Sequence, residues 1–159
     1  MEEVCDAHFT KCYNVHMIST SHVLGGTAIA LAVKQPALAI PLAFLSHFVF
    51  DAIPHWDYGD KAGTPLWWKI WFMDGIGSGL ALLLVALADP QLAWVTVASG
   101  FSAELPDFFW VYYLRAGKPD WWFFRFHKWI QWSETPRGLY YELGYLAMLI
   151  VINVWLLAR

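Results

Sequence analysis

Charge is scarce in this sequence. Of 159 residues, 10 are Lys or Arg and 13 are Asp or Glu, so 14% are charged, whereas soluble domains carry about a quarter. Disordered and coiled-coil chains depend on polar and charged residues, and the shortage excludes both. The net charge is -3, and without a basic stripe there is no electrostatic footprint for nucleic-acid phosphates. Cysteine is nearly missing too. Cys5 and Cys12 are the only two, too few for a disulfide framework, and they read as free thiols on a polar leader. In place of charge the chain has long apolar blocks: 58% of residues are hydrophobic, with 11 Trp, 7 Tyr and 11 Phe, and the mean hydropathy is +0.43.

Those blocks predict an all-α fold, a polytopic membrane helical bundle with five transmembrane helices and one interfacial amphipathic helix. A bilayer core of about 30 Å needs roughly 20 helical residues, with about 17 as the lower bound. The candidate spans are residues 17–33, 36–53, 66–88, 92–114 and 139–157, a single transmembrane domain over 17–159 that follows a polar extension at 1–16. Pro36, Pro54, Pro65, Pro90 and Pro136 mark the changeovers, since proline suits the first helical turn and disfavours helix in the residue before it. Glu2, Glu3 and Asp6 have the wrong sign for a signal-peptide n-region, so the first span is expected to stay, with Met17 an alternative natural start. With the N-terminus inside, Lys11, Lys61, Lys69, Arg115, Lys118, Arg125, Lys128 and Arg137 are cytoplasmic and only Lys34 and Arg159 lie outside. That satisfies the positive-inside rule. The aromatic and cationic stretch at 120–132 is too polar to span and is expected at headgroup level. Within it His127 and Gln131, one turn apart, read first as belt residues and second as site residues.

The informative residues are those a bilayer should exclude. They are His22 in the first span, His47 and Asp51 in the second, Asp74 in the third, Glu104 and Asp107 in the fourth, and Glu142 in the fifth. Charged groups in a membrane are costly, face the bundle interior and mark functional sites. At a rise of about 1.5 Å per residue, all seven fall roughly 3 to 15 Å from the cytoplasmic ends of their helices. Five carboxylates with no interior Lys or Arg cannot all remain ionised unless a cation joins them. One or two divalent ions meet that need, and the imidazoles favour a transition metal, Zn, Mn or Fe. His47 and Asp51 are four residues apart and stack on one helix face; a plain helix-surface hydrogen bond is the competing reading. Glu104 and Asp107 flank Pro106, and their bland alternative is a bent helix lining a watery crevice. Gly25 and Gly26, like the glycines at 75–79, read as packing contacts, and Glu142 as either a helix-terminus acid or a further ligand.

Three elements together resemble a family of small prokaryotic inner-membrane proteins described as predicted metal-dependent hydrolases. They are His22 beside Gly25 and Gly26, the block His47, Asp51, Pro54, His55, Trp56 and Asp57, and Leu105-Pro106-Asp107, within residues 17–110. The His-x-x-x-Asp helix is also similar to that of zinc-dependent phospholipase C. An Asp-His pair and a Thr-His-Ser run, common in the first family, are absent. The resemblance implies a metal site in the cytoplasmic membrane of a prokaryote.

The expected activity is metal-dependent hydrolysis of a phosphoester or similar bond in an amphiphilic membrane substrate at the cytoplasmic leaflet. His22, His47, Asp51 and Asp107 are the expected ligands, Glu104 or Asp74 completes the site or acts as the general base, and His55 is the acid for the leaving group. Two other classes use the same residues: a divalent-cation transporter or channel, and a haem-binding or assembly subunit with His22 and His47 as axial ligands.

Overall fold

The computed structural model describes residues 18–56, 65–116, 121–131, 134–135 and 138–159. Its helices are α1 (Ser19–Val33), α2 (Pro36–Ala52), α3 (Pro65–Ala88), α4 (Ala93–Arg115), α5 (Trp122–Ile130) and α6 (Gly138–Leu157). The only strands among the described residues, β1 (His55–Trp56) and β2 (Glu134–Thr135), pair in parallel with His55 opposite Glu134. The protein is therefore all-helical, and each helix coincides with an apolar or amphipathic segment expected from sequence. The extension at 1–16, Met17, Asp57, and the cations Lys61, Lys118 and Arg137 lie outside the described residues.

Local chemistry sets the helix ends. Lys34 stops α1 in the left-handed region at φ 59°, its amide reaching back to the Ala30 carbonyl at 2.9 Å. Pro36 then opens α2, whose first turn is capped by the Gln35 side chain accepting from the Leu38 amide at 2.7 Å. Between α3 and α4 the Asp89 carboxylate accepts the Gln91 amide at 3.2 Å, an Asx turn that reverses the chain.

Two helices among the described residues are long and apolar enough to cross a membrane, Trp68–Ala88 with mean hydropathy 1.9 and Gly138–Leu157 with 1.5. Both turn large apolar side chains outward: Leu84 is 67% exposed and Val151 66%. α1 and α2 are apolar but shorter, at 15 and 17 residues. α4 has 23 residues, and Glu104, Asp107 and Arg115 dilute its hydropathy.

α1 is the central element, packed against α2, α3, α4 and α6. Its approach to α4 is close enough that a methyl added at Gly26 would sit 2.6 Å from the Ser99 carbonyl oxygen. On α6, Asn153 is buried and ties the helices together, accepting from Thr27 Oγ1 at 2.8 Å and donating to the Leu24 carbonyl at 3.0 Å. The packing role expected of glycine holds at Gly25, Gly26 and, against Thr20, Gly77; Gly75 and Gly79 face open space. α5 lies across α2 and α4, with Phe126 edge-on to Phe48 at 5.2 Å.

Candidate metal centre

His47 and Asp51 stand one turn apart on the inner face of α2, exposed by 0% and 1%. His47 Nδ1 lies 2.8 Å from the Ala103 carbonyl oxygen of α4. A carbonyl only accepts, so in the neutral ring the proton resides on Nδ1 and Nε2 keeps its lone pair. That is the tautomer a metal ligand requires, held by an outer hydrogen bond. Pro106 lies just beyond; having no amide hydrogen, it loosens the α4 ladder beside the carbonyl that His47 uses.

Around the lone pair of His47 Nε2 gather Asp51 Oδ2 at 3.1 Å, His127 Nε2 at 3.0 Å and Asp107 Oδ1 at 3.6 Å. His127 Nε2 is itself 2.8 Å from Asp51 Oδ2 and 3.5 Å from Asp107 Oδ1. His22 Nε2 lies 3.3 Å from Asp51 Oδ1, and its ring stacks on that of His47 with centroids 4.1 Å apart. Four helices, α1, α2, α4 and α5, thus aim imidazole nitrogens and carboxylate oxygens at one buried point.

Such a set repels itself unless protons or a cation lie within it. Both ring nitrogens of His22, Asp51 Oδ1 and His127 Nδ1 are buried with no hydrogen-bond partner among the described residues, a cost that ion binding removes at His22 and Asp51. Two triads have donor atoms close enough to hold a metal ion: His22, His47 and Asp107, and His47, Asp51 and His127. Bonds of about 2.1 Å at tetrahedral angles separate donors by roughly 3.4 Å. The spacings of 2.8 to 3.6 Å bracket that value. The same geometry leaves no slot for a macrocycle between His22 and His47, whose rings are stacked.

The remaining acids have other partners. Asp74 accepts from the Ser19 amide at 2.7 Å, the Thr20 amide at 3.1 Å and the Thr20 hydroxyl at 2.7 Å. It thereby caps α1, which lacks a side-chain cap of its own, and stands apart from both triads. Glu142 does likewise, accepting the amides of Ile18 and Trp56. A helix N-terminus presents unsatisfied amides and a positive dipole end, so a buried carboxylate is stabilised there without any metal. Asp74→Ala is accordingly expected to lower stability by about 1 to 2 kcal/mol while metal content stays at the wild-type level. Denaturation and elemental analysis of the same sample check it, and a variant short of metal but equally stable would place Asp74 in the centre.

Glu104 lies near Ser19, Asp107 and His47, and its Oε2 is buried without a hydrogen-bond partner among the described residues. It borders the centre without belonging to either triad. His55 is fully buried, its Nδ1 bonded to the Ile53 carbonyl at 2.8 Å, and it too lies outside both triads.

His127, which the sequence presents first as a residue of an interfacial belt and only second as a site residue, belongs to one of the triads. The aromatic stretch does form a short amphipathic helix, but its inner face is Phe123, Phe124 and His127, with Trp129 71% exposed on the other side. Gln131, four residues on, points the same way and donates to Asp51 Oδ2 at 3.4 Å. The usable signal was that pairing, two polar side chains on the buried stripe of an otherwise aromatic helix. Compared with known protein families, curated proteins and solved structures, the chain shows no match.

Proposed function

We propose that this chain is a five-span protein of a prokaryotic cytoplasmic membrane, N-terminus inside, that hydrolyses a phosphoester or similar bond in an amphiphilic substrate at the cytoplasmic leaflet. The observation that carries the reading is the convergence of His22, His47, Asp51, Asp107 and His127 on one buried point. α1 and α2 fit as spans despite their length, because α1 is enclosed by other helices and α2 reaches about 25 Å at 1.5 Å per residue. One or two ions of Zn, Mn or Fe held there would supply Lewis-acid chemistry, lowering the pKa of water and polarising a phosphoryl oxygen. His22, His47, His127, Asp51 and Asp107 would hold them, and the Ala103 carbonyl fixes the tautomer of His47. Glu104, its carboxyl buried near Asp107 and its Oε2 without a partner among the described residues, would take the proton of the attacking water. Asp74 and Glu142 cap the N-terminus of α1 and contribute to stability rather than to the centre.

Protein purified without chelators is expected to contain near-stoichiometric transition metal and to release phosphate from phosphoester lipids in mixed micelles. Chelation should lower turnover by at least about 100-fold, with recovery on adding metal back. Metal-free protein of full activity, or a His47→Ala variant with its full complement of metal, would overturn the reading.

One observation favours a divalent-cation transporter as the second reading. Thr96 and Ser99 on α4 bury hydroxyls without hydrogen-bond partners among the described residues, and with Thr27 and Asn153 they make the half of the bundle beyond the centre less apolar than its sequence suggests. Metal uptake into proteoliposomes without hydrolysis of lipid phosphates would select it.

A further inference from the structure

Between the first turns of α3 and strand β1, which packs on α6, a groove of about 410 Å³ is lined by Ile18, Trp56, Lys69, Ile70, Met73 and Asp74. Its outer lip runs into the apolar face of α3, where Phe72 is 62% and Met73 65% exposed. A molecule already in the bilayer therefore reaches the groove sideways without crossing water. Its inner wall is Asp74, whose charge is taken up by the Ser19 amide and the Thr20 amide and hydroxyl at the dipole end of α1. Glu104 lies near Ser19, so a single residue stands between the groove and the border of the metal centre. Lys69, exposed at the mouth, is the cation in the lining.

We infer that this groove is the lateral entrance for a membrane amphiphile with a phosphate headgroup, its apolar part along Trp56, Ile70 and Met73 and its phosphate on the Lys69 ammonium. A lysine at headgroup level is a compact cation on an apolar stem, suited to lie along the groove and meet a phosphate as a point charge. The inference rests on the membrane-hydrolase reading and gives it a substrate class and a route. It does not depend on turnover, because a bound lipid is measurable in itself.

Native mass spectrometry of the protein released from nanodiscs of equal phosphatidylglycerol and phosphatidylcholine tests it. Wild type is expected to retain phosphatidylglycerol in preference, Lys69→Glu to lose that preference by about tenfold, and Met73→Trp, which fills the groove from its exposed lip, to retain about tenfold less of both lipids. Equal retention of the two lipids by wild type, or either variant behaving like wild type, overturns the inference. Metal content read on the same samples separates the two ideas. Wild type lacking metal but keeping its lipid preference sinks the hydrolase alone, whereas full metal content with an unaltered Lys69→Glu sinks the groove alone.

Discussion

Asp51→Ala is expected to release the metal and to make the protein indifferent to chelators. Among the described residues, Asp51 is the one that touches every imidazole in the centre: Oδ2 lies 2.8 Å from His127 and 3.1 Å from His47, and Oδ1 lies 3.3 Å from His22. Loss of an outer-shell partner already lowers metal affinity about 10- to 100-fold, so loss of this inner carboxylate should exceed about 100-fold. The apo protein suffers too, since breaking a buried, charged contact set costs about 3 to 5 kcal/mol. A ligand present at a thousand times its dissociation constant stabilises the folded state by about 4 kcal/mol. Chelation should therefore lower the melting temperature of wild type in detergent and leave that of Asp51→Ala where it was. Asp51→Asn, which keeps the shape and removes the charge, should follow the alanine variant in metal content and melt above it. An alanine variant that retains its metal and still responds to chelator would show that the imidazoles and Asp107 suffice, and the central role given to Asp51 would be wrong.

How much of this was legible in the sequence depended on whether a residue's meaning was local. His47 and Asp51 were legible because their spacing alone places them on one face, and His22 and Asp107 because a polar residue in an apolar block has few inexpensive destinations. Helix positions were legible because prolines punctuate apolar blocks. Asp74 and Glu142 carried the same signal as the residues of the two triads yet lie at the N-terminus of α1. A buried carboxylate is satisfied equally by a cation or by unsatisfied helix amides, and which one it meets is decided by packing. His127 was obscured for the opposite reason. Its neighbours are aromatic and cationic, the composition of an interfacial helix, and the depth of its ring depends on how α5 lies across α2 and α4. The number of spans is not legible from hydropathy alone, for the acids on α4 lower the hydropathy by which a span is recognised, and a helix sheathed by four others needs no lipid-facing length.

The α1–α4 contact yields the other large effect, because it is the hinge of the whole geometry. A methyl on Gly26 would lie 2.6 Å from the Ser99 oxygen, 2.9 Å from Ala103 Cβ and 3.0 Å from Gly100 Cα. Two of those three are backbone atoms, which no rotamer change can move aside. Small residues at such crossings are what allow membrane helices to gain packing energy from close approach. Gly26→Val must push the helices apart, at about 3 kcal/mol, and the displacement falls directly on the site. His22 lies one turn before Gly26 on α1, while Ala103, whose carbonyl holds His47, and Asp107 are on the opposing stretch of α4. Gly26→Val should therefore melt lower and also hold less metal, two losses from a residue that touches no ligand. Gly75→Ala in α3 is the matched control, since nothing lies within 4 Å of its added methyl. There the change only removes glycine's backbone freedom from a helix, worth up to about 1 kcal/mol of added stability, with metal content unchanged. If Gly26→Val melts with Gly75→Ala and binds its full complement, the packing of α1 on α4 does not set the position of His22, and the centre must be held by α2 and α5 alone.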